Sequence, residues 1–120
     1  MTKEEVDMLI TLDDKFQDRC SEITDILKDS NPNMRYMDTY EIDFTHVSCS
    51  GDKYLGYGEH EHHVGKFPTK YLYMSNDEIQ KIVNEEIRQK EEAAEQKRKR
   101  IEAEEIAKYQ ELKAKYEGRI

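Results

Sequence analysis

The chain contains no tryptophan, two cysteines and two prolines, and its apolar residues never form a long run. No segment approaches the roughly 18–20 apolar residues that a membrane span needs, so we expect no membrane contact. Neither Cys20 nor Cys49 belongs to a CxxC motif, and the polar start MTKEEVDMLI does not resemble a signal peptide. Two thiols without a secretory leader indicate a reducing compartment, and we expect a cytosolic protein.

Charge is abundant instead: 38% of the residues are charged and the net charge is −8. Residues 1–43 hold twelve acidic against five basic side chains, whereas residues 75–120 are nearly balanced, with twelve against eleven. Nucleic-acid binding needs Lys and Arg to displace counterions from phosphates, so the acidic N-terminal third argues against direct contact with DNA or RNA. It favours a protein partner with a basic surface, reached by electrostatic steering.

Apolar residues recur with the helical period between residues 3 and 30, which predicts an amphipathic helix. Thr2 and Glu5 have the spacing of a capping box, and Pro32 cannot continue the helix. The face that we expect to be buried consists of Val6, Leu9, Leu12, Phe16, Cys20, Ile23, Ile26 and Leu27.

The opposite face of this helix carries a row of carboxylates, and two interpretations of it stay open. It is either a solvated surface that keeps a small domain soluble or a docking face for a basic surface. Lys15, Arg19 and Lys28 flank the row and dilute its charge, so mimicry of DNA is not strongly indicated. The candidates for partner contact on this acidic face are Asp7, Asp14, Asp18, Glu22 and Asp25.

Residues 36–74 change to a two-residue alternation and are rich in tyrosine, which predicts a small antiparallel sheet within this range. In THVSCSGDKYLGYG we interpret SGDK as the turn of a hairpin and KYLGYG as its returning strand. The segment KFPTKYLYM is expected to form a further strand, with Pro68 in a loop or at an edge.

Ser75 and Glu78 form a second capping-box pattern, and no Pro or Gly follows until Gly118, so one long helix is predicted from residue 75 to about 117. We expect residues 1–87 to form the domain and residues 88–120 to project from it as a charged helix. This helix is either stabilised by its own i,i+4 ion pairs or pairs with another helix, which allows a homodimer. The run KRKR at 97–100 spreads around the helix and does not define a nucleic-acid patch.

Histidine is concentrated in the stretch GEHEHH, residues 58–63. We expect a polar loop there, between strands and bracketed by glycines. His60, His62 and His63 are also candidate zinc ligands, because imidazole and carboxylate groups suit zinc, although no HExxH spacing is present. No nucleophile elbow or phosphate-binding glycine loop occurs, so we expect neither enzymatic activity nor a required cofactor.

The segments RCSEITDILKDSNPNMRYMDTYEID and GYGEHEHHVGKFPTKYLYMSNDEI, followed by a Lys/Glu-rich helix, resemble small accessory proteins of tailed bacteriophages. The resemblance covers most of the chain and implies a phage gene product in a bacterial cytosol, without implying an activity. Small acidic phage proteins often inhibit host enzymes or defence systems, as anti-CRISPR proteins do.

These observations together predict an α+β fold in which an N-terminal helix packs on a small antiparallel sheet and one long charged C-terminal helix follows. The expected function is binding, and inhibition, of a host protein such as a nuclease or a defence protein. Besides the acidic face, the candidate contact residues are Tyr57, His60, His62 and His63. The alternatives are an assembly protein that self-associates through the C-terminal helix and a zinc-binding protein.

Overall fold

The computed structural model describes residues 1–118 and has the predicted α+β fold: a long helix, a three-stranded antiparallel sheet and a second long helix. The chain divides into two compact units, Met1–Glu85 and a second unit that begins at Glu86. In chain order the elements are helix α1 (Lys3–Leu27), a first 3-10 helix (Pro32–Tyr36), strands β1 (Thr39–Ile42), β2 (His46–Gly56) and β3 (Glu59–Pro68), a second 3-10 helix (Thr69–Tyr73) and helix α2 (Asn76–Glu117).

Helix α1 begins with the predicted capping box. The Glu5 amide donates to Thr2 Oγ1 at 3.1 Å, and the Thr2 amide donates to Glu5 Oε1 at 3.3 Å, which satisfies two backbone donors of the first turn. The helix ends at Leu27 and not at residue 30. The Leu27 carbonyl accepts from the amides of both Ser30 and Asn31, at 3.1 and 2.9 Å, and this tight turn ends the helical ladder before Pro32.

The sheet is an antiparallel meander with the strand order β1-β2-β3. Val47 on β2 stands opposite Phe67 on β3, and Cys49 stands between Tyr40 on β1 and Gly65 on β3. Side chains on one strand alternate between the two faces, so these residues share one face, which we call the inner face. It packs against the C-terminal half of α1, where Thr24 Oγ1 lies 3.0 Å from the Tyr40 hydroxyl group. The core residues are Cys20, Ile23, Leu27, Met34, Met37, Tyr40, Val47, Cys49, Phe67, Tyr71, Ile79 and Val83.

The first half of α1 departs from the prediction, because its apolar residues are not buried. Every residue from 1 to 15 is exposed, and Val6, Leu9 and Leu12 keep 41%, 57% and 58% of their surfaces accessible. The same helical face is buried from Cys20 onward, at Ile23 and Leu27. The periodicity identified the face correctly, but the sheet covers only its C-terminal half.

The predicted turn at SGDK is wrong, because β2 continues through these residues to Gly56. Gly51 is buried in the middle of the strand, and a Cβ atom placed on it would lie 1.6 Å from the Tyr36 carbonyl oxygen. The absence of a side chain at Gly51 therefore allows the backbone at Tyr36 to approach the strand closely, which is a common reason for a glycine inside a strand.

Two further predictions for residues 58–74 are corrected by the structure. The stretch GEHEHH is not a loop, because β3 begins at Glu59 and pairs with β2 along its length. The segment KFPTKYLYM does not form a new strand: its first residues end β3 at Pro68, and Thr69–Tyr73 form the second 3-10 helix. Pro68 has no amide proton for a ladder hydrogen bond, so it is placed where the strand ends.

The second unit consists of the continuation of α2, and every residue from 88 to 118 is exposed. Two i,i+4 ion pairs lie along it: Lys99 Nζ is 3.5 Å from Glu95 Oε1, and Arg88 pairs with Glu92. Within residues 1–118, neither long helix has an apolar stretch sufficient to cross a bilayer.

Candidate functional site: a β-hairpin arm and an acidic helix face

The outer half of the β2–β3 hairpin, Asp52–His62, is a two-stranded ribbon that we call the hairpin arm. Inside this range every residue except the half-exposed Gly56 is exposed, whichever face of the sheet it is on. The next cross-strand pair towards the core, Gly51 and His63, is the last one that the rest of the first unit covers. The arm therefore presents side chains on both of its faces while its backbone stays paired.

The tip of the arm is a two-residue turn between Gly56 and Glu59, which are paired across the ladder. Its central residues have positive φ angles, 53° at Tyr57 and 77° at Gly58, as a type I′ turn requires. Gly56 is also positive at 92°, and the register shifts by one residue there, which leaves Leu55 in a bulge. Glycine adopts these angles without strain, but tyrosine does so at a cost.

Tyr57 is fully exposed at this tip. A bulky residue with a positive φ and no intramolecular packing contributes nothing evident to the stability of the turn, and backbone strain of this kind clusters at functional sites. Tyr54 and Leu55 are also largely exposed on the arm, at 65% and 49% of their surfaces. Within four residues the arm thus carries three apolar or aromatic side chains that the described chain leaves largely in solvent.

His60 and His62 lie on the outer face of the arm, as their spacing on a strand requires. The His62 Nδ1 atom is 2.7 Å from Asp52 Oδ1 on the opposite strand. The His60 ring tilts against the Tyr54 ring, with 5.4 Å between centroids and 58° between planes. These cross-strand pairs hold both imidazoles in place on the surface.

His63 points to the inner face and belongs to a different environment. Its ring stacks on Tyr36, with centroids 4.9 Å apart, and its side chain is only 12% exposed. Its Nε2 atom lies 3.1 Å from Glu61 Oε1 without the alignment of a hydrogen bond. The Lys53 ammonium group stands 5.7 Å from the centroid of the same Tyr36 ring. The three histidines therefore do not form one exposed cluster.

This division between faces bears on the zinc hypothesis. Among residues 1–118, no three His, Cys, Asp or Glu side chains converge in a way that could hold a metal ion. The Cys49 thiol lies in the core on the inner face. Zinc binding at His60, His62 and His63 stays a prediction, and the arrangement of these side chains does not favour it.

The predicted acidic face of α1 separates into two parts. The carboxylates of Asp7, Asp14 and Asp18 are exposed, and within the described chain they have no side-chain partner. Glu22 accepts hydrogen bonds from Arg19 and Asn76, and Asp25 accepts one from Lys28 at 2.7 Å. The charge that is available to a partner is therefore concentrated on the N-terminal half of the helix.

Arg19 has a structural role that the sequence did not reveal. Its guanidinium group donates to the backbone carbonyls of Tyr71, Leu72 and Met74, at 3.3, 3.3 and 2.6 Å. It also donates to Glu22 Oε1 at 2.9 Å and to Asn76. Arg19 thus ties α1 to the second 3-10 helix and to the start of α2. Its backbone partners lie more than fifty positions away in the sequence, and no local pattern indicates them.

Three titratable groups whose pKa values are raised lie in the core. Burial raises the pKa of Cys20 to about 12 and that of Cys49 to about 11, and it also raises the pKa of Tyr40. The Tyr40 hydroxyl group is engaged with Thr24 Oγ1 and donates to the Met37 carbonyl, both at 3.0 Å. The three groups are buried, and burial disfavours their charged forms.

One open depression, of 540 Å³, lies on the outer face of the sheet. Three hydroxyl side chains, Glu41 and Lys66 line it together with apolar residues such as Val64. None of the histidines among residues 1–118 lines it.

Comparisons with protein-family models, with characterised proteins and with solved structures find no match to this chain. The resemblance to phage accessory proteins therefore stays a prediction. The candidate site is defined by its geometry alone, as a paired hairpin arm with an exposed tyrosine at its tip and a separate acidic helix face.

Proposed function

We propose that this chain is a non-enzymatic binding protein that engages a host protein with a basic surface and inhibits it. The hairpin arm inserts into a cleft of the partner, and the acidic part of α1 (Asp7, Asp14 and Asp18) steers the encounter. The resemblance to phage accessory proteins supports a host nuclease or a defence protein as the target, as for anti-CRISPR proteins.

The observation that carries this proposal is the exposure of the hairpin arm on both faces. Tyr54, Leu55 and Tyr57 together offer apolar and aromatic area that the described chain does not bury. Tyrosine is among the residues that most often dominate binding energy, since it gives a large contact area for the loss of only two side-chain torsions. The arm is already held by strand pairing, so little backbone entropy is lost when a partner covers it.

The charge distribution supports the same partner chemistry. The exposed carboxylates of α1 repel phosphate and attract a basic protein surface, which raises the association rate more than it lowers the dissociation rate. The shifted pKa values at Cys20, Cys49 and Tyr40 arise from burial in the core, and this supports binding over catalysis.

The test is affinity capture from bacterial lysate with the tagged full-length chain and matched variants, followed by mass spectrometry. Tyr57→Asn removes the ring from the tip and keeps a residue that tolerates a positive φ. Tyr73→Asn is the control, because Tyr73 is also largely exposed, at 83%, but lies outside the arm, in the second 3-10 helix. The proposal expects one dominant protein that Tyr57→Asn loses and Tyr73→Asn retains.

The acidic face is tested with two triple variants that change the net charge equally. The first reverses the exposed acids of α1: Asp7→Lys, Asp14→Lys and Asp18→Lys. The second reverses three acids of α2: Glu91→Lys, Glu111→Lys and Glu117→Lys. Only the first set is expected to slow association with the captured protein. If the tip and both charge sets leave capture unchanged, or if the purified target keeps full activity in the complex, the proposal is wrong.

A further inference from the structure

The second unit has a charge pattern that reverses around a single residue. The segment KRKRIEAEE places four basic side chains at 97–100, Ile101 in the middle, and three acidic side chains at 102–105. The whole segment is helical and exposed. The helix surface is therefore positively charged along residues 97–100 and negatively charged along residues 102–105.

The same reversal holds on one face of the helix. The neighbours of Ile101 at i±3 and i±4 are Lys97 and Arg98 on the N-terminal side and Glu104 and Glu105 on the C-terminal side. Ile101 itself is 45% exposed at the centre of this face. Within residues 1–118, the cations of Lys97 and Arg98 form no ion pair, so both are available to a partner.

We propose that this face binds a second copy of the same chain, with the two α2 helices antiparallel and a two-fold axis passing next to Ile101. In this arrangement Lys97 meets Glu105 of the second copy and Arg98 meets its Glu104, and the symmetry repeats each pair. A two-fold contact of this kind is self-complementary, because each positive half lies on a negative half. A parallel in-register pair would place Lys97 and Arg98 on their own equivalents and is disfavoured by repulsion.

The contact is mainly electrostatic. Ile101 packs against its own equivalent on the axis, and Ala94 leaves room for the aliphatic stem of Lys108 from the second copy. Exposed ion pairs contribute little individually and are screened by salt, so the association is weak and falls as the salt concentration rises. The proposal is independent of the hairpin arm and does not rest on the binding function above.

Charge exchange in the full-length chain gives the first test. One variant carries Lys97→Glu and Arg98→Glu, and a second carries Glu104→Lys and Glu105→Lys. Each alone places like charges opposite each other, so sedimentation should show self-association at least about tenfold weaker than that of the natural chain. An equimolar mixture of the two variants should associate, because the first offers only negative and the second only positive charge at the contact.

Single cysteines test the register, since Cys20 and Cys49 are buried and do not compete. Ile101→Cys lies on the axis and should form a cross-chain disulfide under mild oxidation. Ala94→Cys alone should not, but a mixture of Ala94→Cys and Lys108→Cys should. A natural chain that stays monomeric at millimolar concentration and low salt overturns the proposal, and so does efficient cross-linking of Ala94→Cys with itself.

Discussion

Removal of the Arg19 guanidinium group is the sharpest test of how the first unit is held together. The side chain is 21% exposed and donates to three backbone carbonyls around the end of the second 3-10 helix, besides Glu22 and Asn76. Hydrogen bonds that involve a charged group contribute about 1.5–3 kcal/mol each when protected from water. Since water can reach part of this cluster after truncation, we expect Arg19→Ala to lower the free energy of unfolding by about 2–4 kcal/mol in total.

The matched control is Lys15→Ala, which removes an exposed cation from the preceding turn of α1 and should change stability by no more than about 0.5 kcal/mol. Arg19→Lys keeps the charge but replaces the planar fork with one ammonium group, and its effect should fall between the other two. Because a 1 kcal/mol change shifts the Tm of a domain of this size by about 4–8 °C, Arg19→Ala should lower it by at least about 8 °C.

Urea unfolding should be followed by tyrosine fluorescence or by the reactivity of Cys20 and Cys49. Far-ultraviolet circular dichroism is less suitable, because α2 beyond residue 88 is exposed helix that adds signal without reporting on the core. If Arg19→Ala and Lys15→Ala have equal midpoints and equal slopes, the carbonyl cluster does not stabilise the first unit and the reasoning fails.

Three further predictions concern the strand, the tip and the thiols. Gly51→Ala should lower the free energy of unfolding by about 3 kcal/mol or prevent folding, because the added Cβ atom would overlap the Tyr36 carbonyl group. The control is Ser48→Ala at an exposed position of the same strand, which should leave the midpoint of chemical denaturation nearly unchanged. Tyr57→Asn should preserve or raise the Tm while it abolishes partner capture; a clear loss of Tm would show that the tip tyrosine is structural. Burial raises the pKa values of Cys20 and Cys49 from the ordinary 9.0 to about 12 and about 11. The stability that the two buried neutral thiols contribute is therefore complete below pH 9 and is lost as the pH rises through the raised pKa values. Neither thiol should react with a disulfide reagent at pH 8 until urea unfolds the chain, and rapid native-state labelling would contradict their burial.

The amino-acid sequence by itself determined the two long helices. A period of 3.6 in apolar residues and two capping boxes identified where they begin, and the Thr2–Glu5 pair forms as expected. These signals are local, since helical hydrogen bonds and caps join residues three or four positions apart. The α+β class followed from the change of period after Pro32.

The path of the sheet depended on contacts that no local pattern encodes. In a sequence, a glycine is equally compatible with a turn and with a strand position that another backbone segment approaches closely. At Gly51 only the position of the Tyr36 carbonyl group, seen in the folded structure, distinguishes these two cases. The stretch GEHEHH has the sequence character of a loop because this part of the hairpin is largely exposed, and a strand without a buried face shows no alternation of polar and apolar residues.

The candidate site was likewise predicted in part from the sequence and determined in part by the tertiary structure. The sequence indicated an exposed aromatic and histidine segment and an acidic helix face. Only the tertiary structure placed His63 against Tyr36, away from His60 and His62, and engaged Glu22 through Arg19 and Asn76. Strand pairing separates adjacent side chains onto opposite faces, and the long-range bonds of Arg19 form only when distant segments pack, so these outcomes belong to the fold and not to the local sequence.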